Sequence, residues 1–179
     1  MEGVKKFCEK FCDRHFGLNR IINKNKQSEV NIEDNDRKNI VFSGSTGVGK
    51  TYLSNCIAKV LLDRYYSVIY LSAKGLFEAL VKVKIEKSEE QKYLLLIDGI
   101  YECDMLILDD LGTEMFNHFT TTEFFHIINH RINTEKSTII STNLSLDQMR
   151  DVYSERVTSR IRKSFIYIRL FGNDIRAKL

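Results

Sequence analysis

Eight consecutive residues, Gly44-Ser45-Thr46-Gly47-Val48-Gly49-Lys50-Thr51, fit the pattern G-x-x-x-x-G-K-[ST] at every fixed position. Glycines at these places free successive backbone N–H groups to turn inward onto an anion. A helix that starts near Lys50 adds its positive dipole end and its unpaired N–H groups. Lys50 is then the side chain to reach β- and γ-phosphates, and Thr51 the hydroxyl to sit on Mg²⁺. The spacing predicts a cradle for the phosphates of a nucleotide over Gly44 to Thr51, with Tyr52 next in line.

A second chemical signal lies some sixty residues on, where the apolar run Met105-Leu106-Ile107-Leu108 ends in Asp109-Asp110. A carboxylate at the carboxyl end of a buried strand is placed to hold Mg²⁺, and Asp109 is that residue. Asp110 is the candidate to orient and polarise an attacking water. The β-branched stretch Ser137-Thr138-Ile139-Ile140-Ser141-Thr142 ends in Asn143, which can hold that water, sense the terminal phosphate, or simply make a turn. Further on, Arg156 and Arg160 stand four apart and share one helical face. Such arginines stabilise transition-state charge when supplied in trans, or form a solvated basic face.

These residues need elements to hold them. Short, almost wholly apolar strands are expected at 39–43, 67–72, 104–109, 137–142 and 164–170. Helices are expected at 50–64, 74–82, 88–102, 120–134, 145–152 and 154–162. Alternation of this kind implies a parallel sheet covered on both faces. Thr120 with Glu123, and Ser145 with Gln148, read as capping boxes at two helix starts. Ahead of the first strand, residues 3–16 read as an amphipathic helix through Val4, Phe7, Phe11 and Phe16, and residues 17–39 as a polar linker. The chain thus divides into an N-terminal helix and linker, 1–38, and a catalytic domain, 39–179.

With 179 residues and a formal net charge of +3, the chain is long enough for one full core, and its charge permits nucleic-acid binding without demanding it. Neither a bilayer-spanning stretch nor a secretory leader is visible, which points to a cytoplasmic protein without a membrane partner. Cys8, Cys12 and His15 fall on one helical face but are one ligand short of a structural zinc site, so reduced thiols are expected throughout. Proline is absent from the chain.

Taken together, the segments GSTGVGKTYLSNCIAKVLLDR, MLILDDLGTE, STIISTN, YSERVTSRI and FGNDIR resemble the bacterial replicative-helicase loaders of the DnaC/DnaI type, which are AAA+ ATPases, over residues 39 to the C-terminus. The resemblance implies an α/β P-loop NTPase of the AAA+/ASCE type. Its five-stranded parallel sheet lies between helices, and the strand ending at Asn143 runs between the other two catalytic strands. The separate lid domain is expected to be missing or vestigial, since nine residues follow the last strand. ATP and Mg²⁺ are the implied ligands, and slow, assembly-dependent ATP hydrolysis the implied activity. Asp109 takes the magnesium position, Asp110 the catalytic acid position and Asn143 the sensor 1 position. Arg160 takes the arginine finger position toward a neighbouring subunit's ATP, with Arg156 beside it, and Arg176 the sensor 2 position. The implied partners are single-stranded DNA, further copies of the chain with ATP between subunits, and the replicative helicase, the last through a domain absent from this chain. The family's helical insertion corresponds to about Lys74–Glu102, with Lys82, Lys84, Lys87 and Lys92, and its channel loop to Glu114–Phe119, where Asn117 and Phe119 would meet DNA. Asp110 departs from the Glu found in many AAA+ enzymes, and its shorter arm is expected to hold water less well.

Three rival readings stand beside the loader. The similar IstB-type transposition helper binds duplex DNA and regulates a transposase. A nucleotide-gated binding module would switch between ATP and ADP with negligible hydrolysis. A small-molecule kinase would need Ser154–Lys163 as a basic lid.

Overall fold

The computed structural model describes residues 39–87, 90–113, 118–172 and 174. The expected helix at 3–16, the cysteine pair with His15, and almost all of the linker lie outside them. Five strands form one sheet: β1 (Asn39–Ser43), β2 (Val68–Ser72), β3 (Met105–Leu111), β4 (Ser137–Thr142) and β5 (Phe165–Arg169). Their spatial order is β2-β3-β4-β1-β5 and every pairing is parallel. The strand that leads to Asn143 therefore runs between the acidic strand and the strand that feeds the phosphate loop, as an ASCE sheet requires.

The helices are α1 (Lys50–Leu62), α2 (Ala73–Lys84), α3 (Gln91–Glu102), α4 (His118–Asn133) and α5 (Leu146–Ser164). Strand residues alternate between two apolar clusters, as a sheet covered on both faces demands. Ile40, Phe42, Met105, Ile107 and Ile139 pack under α1 with Ile57, Ala58 and Leu61. Val41, Leu106, Leu108, Ile140 and Phe165 pack against α2, α3, α4 and α5 on the other face. Asn39, which closes the expected linker, already belongs to β1: its Oδ1 accepts from the Thr138 N–H at 2.8 Å.

Two expectations are corrected. Thr120 does not cap a helix, because α4 begins at His118. Thr120 is buried inside its first turn, and Glu123 is turned toward an ion pair with Lys84 of α2. For the same reason the loop expected over 114–119 yields His118 and Phe119 to α4. The two helices expected at 145–152 and 154–162 are both present: they follow one another directly within α5, and the non-helical Ser154, at φ 81°, marks the break between them. The Ser145–Gln148 capping box is present at the start of α5. Cys56 and Cys103 are both free thiols.

Candidate functional site

The carboxyl ends of β1, β3 and β4 meet the start of α1, and the polar residues singled out in the sequence gather there. Gly49, at φ 97°, turns the chain into α1. No N-cap side chain bonds to that helix start and its first turn carries no acid, so its positive dipole end faces the loop and favours an anion there. Lys50 is 6% exposed and its ammonium is held by three oxygens: Gly44 O at 2.7 Å, Ser45 O at 2.8 Å and Asn143 Oδ1 at 2.6 Å. The last contact joins the loop to the tip of β4 across 93 residues of sequence. Ammonium contacts to loop carbonyls and an exposed amide can be exchanged for phosphate oxygens without disturbing the sheet.

Asp109 is buried at the end of β3, and its carboxylate accepts from every side. Thr51 Oγ1 donates at 3.0 Å and Tyr70 Oη at 2.7 Å, both to Oδ2. The Ser141 hydroxyl and the Asp110 N–H, at 3.1 Å, donate to Oδ1. Tyr70, Asp109 and Ser141 come from three adjacent strands and project on the α1 face of the sheet. Burial, and then the neighbouring Asp109 carboxylate, push the Tyr70 phenol above its ordinary range, so it stays a proton donor. Among the described residues no cluster of three or more His, Cys, Asp or Glu side chains is placed to bind a metal ion. The donor set fits Mg²⁺ all the same: that ion takes hard oxygens, usually one carboxylate with a hydroxyl, phosphate and water making up the rest.

Asp110 turns out of the sheet. A register shift between Leu108 and Leu111 and its φ of 54° break the strand alternation at this residue, leaving it exposed beside the buried Asp109. Asp tolerates that left-handed backbone better than most residues. Arg156 and Arg160 are both exposed on the second half of α5, and no described residue pairs with either. Lys82 pairs with Glu86 and Lys84 with Glu123, while Phe119 is half-buried against the larger core cluster. Tyr52 is 48% exposed on α1, one residue past Thr51. Asn117 and Arg176 lie outside the described residues.

Sequence reasoning missed Tyr70 and Ser141, which sit inside β-branched or aromatic runs that read as plain strand. It also missed Asp174. A β-carbon added to Gly47, which has φ 80°, would lie 2.1 Å from Asp174 Oδ1, so this carboxylate lies directly against the phosphate loop.

The family of IstB-like ATP-binding proteins matches residues 18–162. The chain belongs to that family. The replicative helicase loader DnaC of Escherichia coli K12 is 27% identical over 131 residues, which cover 72% of this chain and 52% of DnaC. The chain thus spans about half the length of that relative. Among solved structures, a crystal structure of the DnaC helicase loader superposes with a TM-score of 0.64 at 26% identity, covering 78% of this chain and 82% of that one. The replication initiator DnaA bound to AMPPCP and single-stranded DNA superposes with a TM-score of 0.66 at 30% identity, covering 78% of this chain and 42% of that one. The fold of this IstB-like chain is the AAA+ P-loop fold of those replication proteins. Among the described residues no helix is long and apolar enough to cross a membrane.

Proposed function

We propose that this chain binds and hydrolyses ATP as the motor part of a replicative-helicase loader and grips single-stranded DNA in its ATP state. The observation that carries the reading is the Lys50–Asn143 contact beside the Thr51–Asp109 pair, which brings three separated motifs to one point at the uncapped start of α1. DnaC, a helicase loader by name, and DnaA, solved bound to AMPPCP and single-stranded DNA, support the choice of partner.

In this reading Lys50 exchanges the Gly44 and Ser45 carbonyls for β- and γ-phosphate oxygens. Thr51 and Asp109 hold Mg²⁺, which neutralises charge on the phosphates. Asp110 orients the water that attacks the γ-phosphorus, and its exposed, outward-turned carboxylate has the freedom to do so. Asn143 reports the γ-phosphate to β4 through its bond to Lys50. Arg160, with Arg156 beside it, reaches the ATP of a neighbouring copy, and Arg176 contacts ATP in its own subunit. Asn117, Phe119, Lys82 and Lys84 meet the DNA; the two lysines would have to leave Glu86 and Glu123 to do so. Residues 39–179 form the ATPase domain, and the replicative helicase is its partner.

The test is fluorescence anisotropy on single- and double-stranded oligonucleotides at fixed salt, with Mg²⁺ and either ADP or a non-hydrolysable ATP analogue. Tighter single-strand binding with the analogue is expected. Preference for duplex would instead favour the transposition helper, which the family match keeps in play, and nucleotide binding without DNA binding would favour the gated module. Subunit sharing is checked separately by mixing Arg160→Ala with Lys50→Ala protein. Recovered hydrolysis is expected, and a mixture no better than its parts would remove Arg160 from that role.

A further inference from the structure

The α1 face of β2 offers two side chains to the core, Val68 and Tyr70, and both rings or branches pack at the edge of the cluster under α1. A phenylalanine would satisfy that packing as well as Tyr70 does. The hydroxyl needs a separate account, and the carboxylate it donates to supplies one: Asp109 Oδ2, at 2.7 Å, within the range of strong charge-assisted O–H···O⁻ bonds, with the Thr51 hydroxyl also beside it.

A carboxylate has about four lone-pair directions. Here all four are met: Oδ1 by the Ser141 hydroxyl and the Asp110 N–H, Oδ2 by Thr51 and Tyr70. Ser141 lies in β4 and the Asp110 N–H is β3 main chain, so both stay on Oδ1, which Thr51 reaches only at 3.3 Å. Of the two partners of Oδ2, Thr51 is the hydroxyl that a phosphate loop lends to Mg²⁺. Once Thr51 turns away, Oδ2 presents one lone-pair direction, on the Thr51 side, because Tyr70 still occupies the other.

We infer that Tyr70 is a positioning residue of the nucleotide site: its phenol, reaching over from the neighbouring strand, fixes the Asp109 carboxylate so that one oxygen, in one direction, faces the cation that accompanies the nucleotide. This rests on the ATP-site reading above. Partners of this kind, which orient a cation-holding carboxylate without touching the cation, typically change metal affinity 10–100-fold when removed.

The experiment is a titration of Mg²⁺ into protein and a fluorescent ADP analogue, wild type against Tyr70→Phe, with a parallel nucleotide titration in EDTA. Tyr70→Phe keeps the ring and its packing. The expected result is a Mg²⁺ midpoint about tenfold higher in the variant, with nucleotide affinity in EDTA unchanged within about twofold. An unchanged midpoint overturns the inference. So does an equal loss with and without Mg²⁺, which would make Tyr70 a packing residue. If wild-type protein itself shows no tightening by Mg²⁺, the ATP-site reading fails first, and that failure is visible without the variant.

Discussion

The two ends of the sheet each hold a buried cation among oxygens, and they do it in opposite ways. At the amino end, Arg131 of α4 is completely buried. It donates to the carbonyls of Ile100 at 2.7 Å, Cys103 at 3.1 Å and Ser137 at 2.6 Å, and to Thr138 Oγ1 at 3.1 Å. The Ile100 and Cys103 carbonyls close the end of α3 ahead of β3, and Ser137 and Thr138 open β4, so the guanidinium on α4 staples α3 to β4. At the carboxyl end, Lys50 is nearly as buried, but its partners are two loop carbonyls and the exposed amide of Asn143. The planar fork of Arg suits fixed acceptors, while the mobile ammonium of Lys suits acceptors that change. One end of the sheet is closed by its cation, and the other is held ready by its cation.

That contrast is broken most directly at Arg131. Arg131→Met should cost roughly 3–5 kcal/mol in denaturant unfolding, because it leaves several buried carbonyls without a donor. Nucleotide affinity of the folded fraction should stay at the wild-type value. A destabilisation below about 1 kcal/mol would show that water reaches these carbonyls and that the staple is not needed. Lys50→Ala should give the reverse. ATP affinity measured by calorimetry should fall by about 100-fold or more, equivalent to roughly 3 kcal/mol, since a charge-assisted phosphate contact is lost. Unfolding stability should move by less than about 1 kcal/mol, because Gly44 and Ser45 lie on a loop that solvent can reach. Unchanged ATP affinity would overturn the site.

A smaller effect sharpens the same end. Asp174 places a carboxylate against Gly47, where nucleotide phosphates are expected to arrive. Like charges at that range repel, and the repulsion is screened by salt because Asp174 is exposed. Asp174→Asn should therefore raise ATP affinity about threefold at low ionic strength, with the gain shrinking in 0.5 M salt. A loss of affinity would mean that Asp174 helps to hold the loop rather than competing with its ligand.

Most of the architecture was legible because it depends on local signals. The alternation of apolar strands and amphipathic helices predicted all five strands to within two residues and the sheet as parallel. The placement of the phosphate loop, Asp109 and Asn143 together was legible because each stands at the carboxyl end of a strand visible in the sequence, although Asn143 alone read equally as a turn residue. Tyr70 and Ser141 were not legible. Inside VIYLS and STIIST their side chains look like ordinary strand formers, and only the strand order puts them on either side of Asp109. The failed Thr120 cap has a similar cause. The S/T-x-x-E spacing was present, but a partner 39 residues away, Lys84, took the glutamate.

The smallest effect concerns β3 itself, which has a carboxylate at each end. Asp109 meets hydroxyls that a nucleotide is expected to redistribute, whereas Asp104, just before the strand, meets only the turn that closes the amino end. The Ser67 hydroxyl donates to Asp104 Oδ2 at 2.6 Å and the Ser67 N–H at 2.9 Å, and the Asp104 N–H returns to Ser67 Oγ at 2.9 Å. The Ser67 hydroxyl bond holds the Asp104 carboxyl below its ordinary range, against a smaller opposing push from burial. A carboxyl lowered by folding contributes stability that is fully present above its unfolded value and is lost as pH falls through the folded value. The group is exposed, so solvent screening limits the contribution to at most about 0.5 kcal/mol. Unfolding midpoints of wild type and Ser67→Ala should therefore differ at pH 7 and converge only as pH falls through the lowered folded value, below the ordinary carboxylate range, where the carboxylate becomes protonated in both. A difference that persists unchanged into acid would assign the Ser67 contribution to its bond from the Asp104 N–H, which does not titrate.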